Sequence, residues 1–452
     1  MKLKALMSVI ALSILCPLLV GCGNSNRPSA KDPVTLTMWH NYGGDMQQSM
    51  DVLIDEFNST IGQEQGIVID VTAISSSSEL NESLNMIVNG DPGAPEMPDI
   101  FTGYPKTAIQ FQEKGLLCRL DTYFTDMELS SYVDAFIEEG RLTDGGLYVF
   151  PLAKSTEILY LNQTLFDTFA AATGAKQEQL STLEGLAELS KMYYDWTDAQ
   201  TPDIPNDGKM FYAADSWFNL AYVGMAQTGA NLFSDTNNLN LENDTYRHIF
   251  ETVYTAATEG GFAIYDGYSS DLSKPGDLVC STGSSAGILF YGDTITYDDG
   301  TVEQVEYSIL PYPVLENGKK IALQRGGGLM VAKGETKKEY AAAVFLKWLT
   351  APEQNMRFIS KTGYLPVSKQ AFEEDIEEHL ETVEDIRIKK MLTAVLSMYE
   401  NYDFFTAPKF GSFDTVSSEY EEAFKTLLKT QREAYLKNEA LSAADALAAF
   451  AN

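Results

Sequence analysis

Serine, histidine and carboxylate side chains are the first candidates for chemistry in this sequence. Residues 283–287 read Gly-Ser-Ser-Ala-Gly, which fits the Gly-x-Ser-x-Gly pattern that presents a nucleophilic serine in hydrolases. Such a serine needs a helix directly after it, and its histidine partner must lie further along the chain. The residues at 288–292 are instead typical of a strand, and only His379, beside an acidic run, lies downstream. The pattern therefore gives a serine hydrolase little support.

The sequence gives equally weak support to a metal site or to an acid–base catalytic site. The three histidines, His40, His248 and His379, form no His-Glu-x-x-His motif, and no Walker or Rossmann glycine pattern occurs. Among 64 acidic residues some carboxylate pair is inevitable, so a pair alone does not identify a glycoside hydrolase. We expect no metal site, no cofactor and no catalytic residue, while a secreted glycoside hydrolase stays open as an alternative.

Aromatic, hydroxyl and glycine residues suit a different kind of chemistry, the binding of a sugar. Flat aromatic rings cover the C–H faces of a sugar, while hydroxyls and backbone amides bind its hydroxyl groups. Three consecutive glycines at 326–328 let the backbone approach a ligand closely, because they lack a Cβ atom. Gly363 and Pro366 bracket a turn that fixes the ring of Tyr364. Each of these residues also fits an ordinary packing role, so residue type alone does not decide.

Length, composition and charge limit the classes of protein that remain. A chain of 452 residues with 44% hydrophobic residues is long enough for more than one domain and can build real cores. Its net charge of −32 argues against a nucleic-acid partner, which needs basic surfaces. The same acidity disfavours attachment to an anionic lipid surface through charge alone.

The first 22 residues have the pattern of an export signal (1–22) rather than of a folded element. Lys2 and Lys4 precede an apolar run at 6–20, which is too short to span a bilayer comfortably. The run leads into Leu-Val-Gly-Cys, which resembles a bacterial lipobox, so Cys22 is predicted to be lipidated. A polar tether at 23–33 would then hold the protein outside the cytoplasmic membrane. An ordinary signal with an incidental Cys22 is the alternative.

The elements that must position the candidate residues alternate between strands and helices. The stretch 34–38 predicts a strand, an apolar face at helical spacing follows at 46–57, and 67–71 predicts a second strand. Such a unit implies a parallel pair with a right-handed crossover, and ligands bind at the carboxyl ends of such strands. Trp39 and His40 lie at such an end. Further strands are predicted at 98–104, 158–162, 306–313 and 329–332, and helices at 341–349 and 418–449.

One stretch of the chain resembles a known protein family. Residues 324–368 combine the glycine run and its strand, a helix followed by Pro-Glu at 352–353, and Thr-Gly-Tyr-Leu-Pro at 362–366. This stretch, together with Trp-His at 39–40, is similar to the extracellular solute-binding proteins of ATP-driven importers, above all to their carbohydrate and glycerol-3-phosphate-binding group. The resemblance implies an α/β fold of the two-lobed periplasmic-binding-protein type (type II). Each lobe would be a mainly parallel sheet flanked by helices, with the ligand cleft between the lobes.

The resemblance also implies how the chain divides. The expected division is 34–150 with 294–345 for the first lobe, and 151–293 with 346–452 for the second. The segments at 151–162 and 306–313 would be the crossings between the lobes. Cys118 and Cys280 would then fall in different lobes, so we expect both thiols to be unpaired.

The family match assigns candidate ligand contacts to both lobes. Ser155 would touch the ligand beside a hinge and Trp217 would stack on it, because each matches a family residue with that role. Tyr364 would form a second aromatic wall. The candidate ligand-binding residues are Trp39, His40, Tyr104, Ser155, Thr156, Trp217, Ser284, Ser285, Gly326, Gly327 and Tyr364.

Two departures from the glycerol-3-phosphate branch favour a neutral ligand. The family's basic anchor corresponds to Ser417 here, and Pro105 stands where that branch has a ligand-binding acid. We therefore expect a sugar or oligosaccharide, delivered to the membrane permease subunits of an ABC importer. A glycerol-3-phosphate- or glycerophosphodiester-binding protein is the alternative within the family.

Overall fold

Strands and helices alternate through most of the chain, and the computed structural model describes residues 26–74, 77–374, 380–381 and 383–451. The strands are β1 (Val34–His40), β2 (Ile67–Ala73), β3 (Ile100–Gly103), β4 (Phe150–Pro151), β5 (Ser155–Asn162), β6 (Tyr212–Ala214), β7 (Cys280–Ser284), β8 (Thr294–Thr296), β9 (Val302–Gln304), β10 (Tyr307–Leu310), β11 (Ile321–Arg325), β12 (Gly328–Val331) and β13 (Asp403–Thr406). The helices are α1 (Gly44–Ser59), α2 (Ile61–Gln65), α3 (Ser77–Asn89), α4 (Pro105–Glu113), α5 (Asp126–Ser130), α6 (Asp134–Gly140), α7 (Gln163–Thr173), α8 (Leu183–Asp198), α9 (Trp217–Gln227), α10 (Asp244–Thr258), α11 (Ser269–Ser273), α12 (Thr336–Leu349), α13 (Pro352–Ile359), α14 (Ile386–Asn401), α15 (Phe413–Tyr435) and α16 (Ala443–Phe450). Single 3₁₀ turns lie at Leu120–Thr122, Gln177–Ser181 and Ser285–Phe290, and a π turn lies at Gln370–Glu374.

The first sheet joins five strands in the order β2-β1-β3-β12-β4. β1 is parallel to β2 and β3, as the strand–helix–strand pattern predicts. Leu36 and Met38 alternate with exposed threonines along β1 and are fully buried, because helices pack on that face of the sheet. β12 enters antiparallel between β3 and β4, so the sheet is mixed rather than mainly parallel.

The second sheet has the order β13-β11-β5-β7-β6, and β10 also pairs with β5. β5 is antiparallel to β7, β10 and β11, while β6 is parallel to β7 and β11 is parallel to β13. All eight residues of β5 are buried, including the polar Ser155, Thr156 and Glu157. A buried strand with polar residues at one end must satisfy them inside the protein, and this end lies beside the crossings between the sheets.

The strand pairing divides the range 294–345, predicted for the first lobe, between both sheets. β10 and β11 pair with β5 in the second sheet, and the chain returns to the first sheet only at β12. The second crossing therefore falls at Gly326–Gly327 instead of the predicted 306–313. The glycines explain this position, because Gly326 has φ of +102° and a Cβ there would lie 2.5 Å from the carbonyl oxygen of Ala153.

The start of the range 346–452 also differs from its prediction for the second lobe. α13 packs on α1 of the first lobe, where the ring centroid of Phe358 lies 5.2 Å from that of Tyr42. The apolar face of α13 explains this, because Met356, Phe358 and Ile359 are buried there. The predicted long helix at 418–449 is split into α15 and α16.

Cys118 lies in a loop beside the first sheet and Cys280 lies in the second sheet, and both thiols are free and buried. The backbone N–H of Cys118 donates to Val331 in β12, whereas Cys280 begins β7. Within the described part of the chain, no helix combines the length and the apolar character that a membrane crossing requires. Cys22 and the predicted signal lie outside the described residues.

Candidate functional site

A cleft of about 800 Å³ lies where strands of both sheets end. Tyr104 follows β3, Asp215 follows β6, Arg325 ends β11 and Ala407 follows β13, and all four line the cleft. Ligands in open α/β sheets bind outside the carboxyl ends of the strands, so the position agrees with the predicted site. One side of α15, which carries Ser417, Ser418, Glu421, Glu422 and Lys425, forms a further wall.

Arg325 and Glu157 form an ion pair at the floor of the cleft. Nη1 of Arg325 donates to Oε1 of Glu157 at 2.9 Å, and Nδ2 of Asn219 donates to the same oxygen at 2.6 Å. The Glu157 side chain is 4% exposed and the Arg325 side chain 35% exposed, so the guanidinium meets the cleft and the carboxylate lies behind it. Burial raises the pKa of Glu157, and the charge of Arg325 opposes that rise.

Asp215 is held beside the cleft by one of its two oxygens. Its Oδ1 accepts hydrogen bonds from the N–H of Ser269 at 2.9 Å and from the hydroxyl of Ser269 at 2.6 Å. Gly283 on β7 makes room for the carboxylate, because a Cβ there would lie 2.3 Å from Oδ2 of Asp215. The sequence gives this glycine as part of the Gly-Ser-Ser-Ala-Gly pattern, whereas its structural role is to leave space.

The amino end of α9 faces the cleft with its N–H groups already satisfied. Ser216 caps the helix, since its hydroxyl accepts from the N–H of Asn219 at 3.1 Å. Glu421 of α15 accepts from the N–H of Trp217 at 3.1 Å and of Phe218 at 2.8 Å. The positive end of a helix dipole attracts anions. Here a protein carboxylate holds that place, so this end is not free for an anionic ligand.

Near the rim of the cleft, α4 contacts the first turn of α15 from the opposite side. The ammonium of Lys106 pairs with Asp414, and it lies 5.4 Å from the ring centroid of Tyr104 and 5.8 Å from that of Phe413. The ring of Tyr104 is 39% exposed, whereas Phe413 is 8% exposed and packs on Phe218. Contact across such a rim joins residues that lie far apart in the sequence.

The cations that line the cleft are all engaged by other protein groups. Four pair with carboxylates, and Lys409 donates to the backbone carbonyls of Glu138 at 3.0 Å and Arg141 at 2.7 Å. Burial lowers the pKa of Lys409, and the charges of Glu139 and Glu138 oppose that fall. The four carboxylate pairs are Lys106 with Asp414, Arg325 with Glu157, Lys425 with Glu421, and Lys429 with Asp266.

A buried cluster joins the two crossings below the cleft. Nζ of Lys154 donates to Oε2 of Glu139 at 2.5 Å and to the carbonyl of Gly326 at 3.0 Å. Gln324 donates to the same carboxylate. Because Lys154 precedes β5 and Gln324 lies in β11, this cluster fixes both crossings to α6 of the first lobe.

Tyr104 and Gly326 are the two predicted site residues that line the cleft. Gly327 continues the same crossing, and a Cβ there would lie 2.9 Å from the carbonyl oxygen of Gly103. Tyr364 lies nearby, with its ring stacked 6.5 Å from that of Phe358. Burial raises the pKa of Tyr364, because its ring is packed among other aromatic side chains.

The predicted hydroxyl contacts are used mainly inside the second sheet. The hydroxyl of Thr156 donates to the carbonyl of Leu323 at 2.9 Å, and the hydroxyl of Ser285 accepts from the N–H of Thr156 at 3.3 Å. The hydroxyl of Ser284 accepts from the N–H of Ala286 at 3.3 Å. Ser155 is 3% exposed on β5. These residues shape the floor behind the cleft, and a 3₁₀ turn follows Ser284 in place of the predicted strand.

Trp217, predicted to stack on the ligand, lies in the core of the second lobe. Its side chain is 1% exposed and does not line the cleft. Its ring centroid lies 6.2 Å from that of Tyr212, 5.9 Å from Phe262 and 6.3 Å from Phe424. The family match predicted a ring that faces the ligand, whereas the first turn of α9 directs the ring into the core.

Trp39 and His40 at the end of β1 pack within the first lobe. Trp39 is partly buried against an apolar cluster that includes Leu84 and Met330. His40 is fully buried, and its Nδ1 accepts from the N–H of Tyr42 at 3.3 Å. Burial lowers the pKa of His40, and the charge of Asp51 opposes that fall.

Sequence reasoning missed the charged groups of the cleft. Glu157 stands directly before the apolar residues of its strand, which begin at Ile158, and Arg325 stands directly before the glycine run. A charge inside a buried strand needs a partner, which is the signal that could have identified this pair. Phe413 gave no such signal, because only the fold brings it to the rim.

The two sheets, the crossings between them and the cleft at the strand ends define a two-lobed ligand-binding protein. Residues 53–382 match the family described as bacterial extracellular solute-binding protein, and the chain belongs to that family. The predicted family and the two-lobed α/β fold are therefore confirmed, although the sheets are mixed and not mainly parallel.

Individual relatives are more distant. The chain is 23% identical over 365 residues to the sn-glycerol-3-phosphate-binding periplasmic protein UgpB of Shigella flexneri, which covers 76% of this chain and 77% of that protein. The cyclic alpha-maltosyl-1,6-maltose binding protein from Arthrobacter globiformis has a TM-score of 0.69 at 20% identity, over 92% of this chain and 97% of that one. UgpB from Mycobacterium tuberculosis, in complex with glycerophosphocholine, has a TM-score of 0.65 at 17% identity, over 90% and 99%. At such identities, the two solved structures show the shared fold.

Proposed function

We propose that this protein captures a neutral sugar or oligosaccharide outside the cell and delivers it to the membrane permease subunits of an ABC importer. The observation that carries the choice of ligand is the pairing of the cleft's cations. Each of the five lining cations in the described residues already contacts a carboxylate or backbone carbonyls. A phosphorylated ligand needs a free cation or a nest of free amides. A neutral ligand needs neither, and the cleft is large enough for a small oligosaccharide.

A glycerol-3-phosphate or glycerophosphodiester is the second candidate ligand. The names of the UgpB relatives support it, since one is called sn-glycerol-3-phosphate-binding and another was solved with glycerophosphocholine. Two lining residues argue against it. Ser417 and Pro105 both face the cleft, and neither can supply the cation or the acid expected there in that branch.

A thermal-shift screen of the purified protein tests the ligand class. The panel contains maltotriose, mannotriose, xylotriose, a cyclic glucan, glycerol-3-phosphate and glycerophosphocholine. A ligand that binds only the folded state raises the melting temperature. We expect at least one neutral sugar to do so and both phosphorylated compounds to have no effect. Stabilisation by the phosphorylated compounds alone would reverse the assignment.

The proposal includes a lipid anchor on Cys22 and a position outside the cytoplasmic membrane. It is supported by the lysines, apolar run and terminal cysteine of the first 22 residues. In cells, Cys22→Ala should move the protein from the membrane fraction to the soluble fraction. Cys16→Ala, within the same apolar run, is the matched control and should stay membrane-bound. A Cys22→Ala protein that stays in the membrane fraction would contradict the anchor.

We propose binding without catalysis. The serine of the Gly-x-Ser-x-Gly pattern is fully buried, and its hydroxyl is hydrogen-bonded to Thr156. Incubation with each oligosaccharide of the panel, followed by chromatography, should recover the sugar intact. Release of shorter sugars would favour the alternative, a secreted glycoside hydrolase.

A further inference from the structure

Several N–H groups of the Arg325 guanidinium donate to no residue that the structure describes. Its side chain makes one hydrogen bond within the described residues, from Nη1 to Glu157. A guanidinium carries five N–H donors in a rigid plane, so several remain for another partner. Because Arg325 lines the cleft and its side chain is 35% exposed, a ligand is the partner that can reach them.

Asp215 offers the complementary group. Its Oδ1 is held by Ser269, and no described residue donates to its Oδ2. A carboxylate oxygen accepts hydrogen bonds only, whereas the guanidinium only donates. Both residues line the same cleft. Burial lowers the pKa of Arg325, but the charges of Glu157, Tyr104 and Asp215 raise it, in that order, and the net shift is upward.

Both groups are fixed before any ligand arrives. Glu157 holds Arg325 and is itself held by Asn219 at 2.6 Å, while Ser269 orients Asp215 through two hydrogen bonds. Groups that are already oriented lose little conformational entropy on binding. Such an arrangement is expected of residues that select a ligand by the positions of its polar groups.

The charges decide what kind of group fits. Glu157 neutralises Arg325, and Asp215 adds a negative charge for which no described cation forms an ion pair. An anionic ligand would therefore meet net negative charge at this floor. A pair of hydroxyl groups fits both residues, because one oxygen accepts from Arg325 and the other hydroxyl donates to Asp215.

We propose that Arg325 and Asp215 are specificity-determining residues that bind two neighbouring hydroxyl groups of a neutral sugar, with Glu157, Asn219 and Ser269 as positioning residues. This inference rests on the proposed function. It makes the ligand a sugar whose free vicinal diol lies against Arg325 and Asp215.

The test compares Asp215→Asn and Arg325→Gln with the natural protein by calorimetric titration. The probe is the neutral trisaccharide that stabilises the natural protein in the screen: maltotriose, mannotriose or xylotriose. A hydrogen bond to a charged group in a desolvated site is worth enough that each variant should bind roughly 10–100-fold more weakly. Asp195→Asn is the control: it removes an exposed carboxylate that pairs with Lys191 away from the cleft, and its affinity should stay within about twofold. Asp215→Asn binding within twofold as well would overturn the inference.

Arg325→Gln leaves Glu157 buried without its partner, so a loss of affinity in this variant could result from a loss of folding alone. A second variant separates the two causes. The double variant Arg325→Gln with Glu157→Gln removes both charges, and it should also bind the trisaccharide at least about tenfold more weakly while melting as a folded protein. Retention of affinity in the folded double variant would remove Arg325 from the site.

The outcomes separate this inference from the proposed function. If no neutral sugar binds the natural protein but glycerol-3-phosphate does, the proposed function fails. If Arg325→Gln then abolishes glycerol-3-phosphate binding while Asp215→Asn leaves it unchanged, Arg325 acts on the phosphate and the diol assignment fails, because binding of the two glycerol hydroxyls would need both residues. If a trisaccharide binds and both single variants bind it equally well, the function stands and only the assignment of these two residues fails.

Discussion

Two strand-to-helix junctions in this protein look alike in sequence and differ in structure. At the β3–α4 junction Tyr104 is the N-cap residue and Pro105 is the first helical residue. At the β6–α9 junction Ser216 is the N-cap and Trp217 is the first helical residue. Both junctions place an aromatic ring at the carboxyl end of a strand. Tyr104 is 39% exposed at the cleft, whereas Trp217 is 1% exposed in the core.

The two rings differ in exposure because Tyr104 is the N-cap of its helix, whereas Trp217 is one position further on. Successive helical residues point about 100° apart, so a ring at the first helical position and a ring at the N-cap face different surroundings. Trp217 turns toward Phe262 and Phe424, while the cap residue Ser216 faces the cleft. An aromatic residue at a strand end therefore predicts a site only when its position relative to the cap is known.

Trp217→Ala should show the largest effect of the substitutions that test this comparison. Loss of a buried tryptophan leaves a cavity, and we expect the free energy of unfolding to fall by about 3–5 kcal/mol. Urea unfolding of the unliganded protein, followed by circular dichroism, measures it. Trp217→Phe keeps part of the packing and should cost less. Weaker sugar binding with unchanged stability would restore Trp217 to the site.

Tyr104→Ala should have the opposite signature. Its ring packs against the cleft, and truncation of an aromatic anchor costs roughly 2 kcal/mol of binding energy, or at least about tenfold in the dissociation constant. The free energy of unfolding should change by less than about 0.5 kcal/mol, because the ring is exposed in the unliganded protein.

Calorimetry with the sugar that stabilises the natural protein checks the expectation for Tyr104. Tyr104→Phe keeps the ring and is the matched control, with affinity close to that of the natural protein. A loss of stability in Tyr104→Ala that equals the loss in Trp217→Ala would mean that the two junctions do not differ in function.

The sequence predicted more of the fold than of the site, and particular residues show why. Strand periodicity and the glycine run predicted β1, β2 and β12, because local patterns depend on which face of a strand is buried. The cleft groups depend on pairing between distant segments: Arg325 meets Glu157 only because β11 lies against β5. No local pattern contains that register, so Arg325 was missed.

Trp217 shows a further limit of sequence reasoning. Its aromatic type and its family match favoured the cleft, yet the direction of the ring depends on how α9 is rotated against α15. A hydrophobic position at a helix start is buried or exposed according to the neighbouring helix. Here the buried face of α15 includes Phe424, which supplies the surface that Trp217 covers.

Ser216→Ala should have a moderate effect that distinguishes the two caps. The hydroxyl of Ser216 caps α9, and its loss should reduce the free energy of unfolding by about 1 kcal/mol. Tyr104 makes no side-chain cap hydrogen bond at α4, so Tyr104→Ala removes no cap. Thermal unfolding of both variants measures the contrast. Ser216→Thr retains the cap and should unfold like the natural protein, whereas an equal loss in Ser216→Thr would show that packing, and not the cap, was removed.

The smallest effect is expected at the pair that bridges the rim on the Tyr104 side. Lys106 and Asp414 have side-chain exposures of 30% and 56%, and exposed ion pairs contribute about 0–1 kcal/mol. A double-mutant cycle of Lys106→Met and Asp414→Asn, measured by urea unfolding, should therefore give a coupling energy below about 1 kcal/mol. Because exposed pairs are screened by salt, the coupling should fall further at 1 M sodium chloride. A coupling of several kcal/mol that persists in salt would mean that this pair joins the two lobes rigidly. Tyr104 would then be held in place as firmly as Trp217 is in its core.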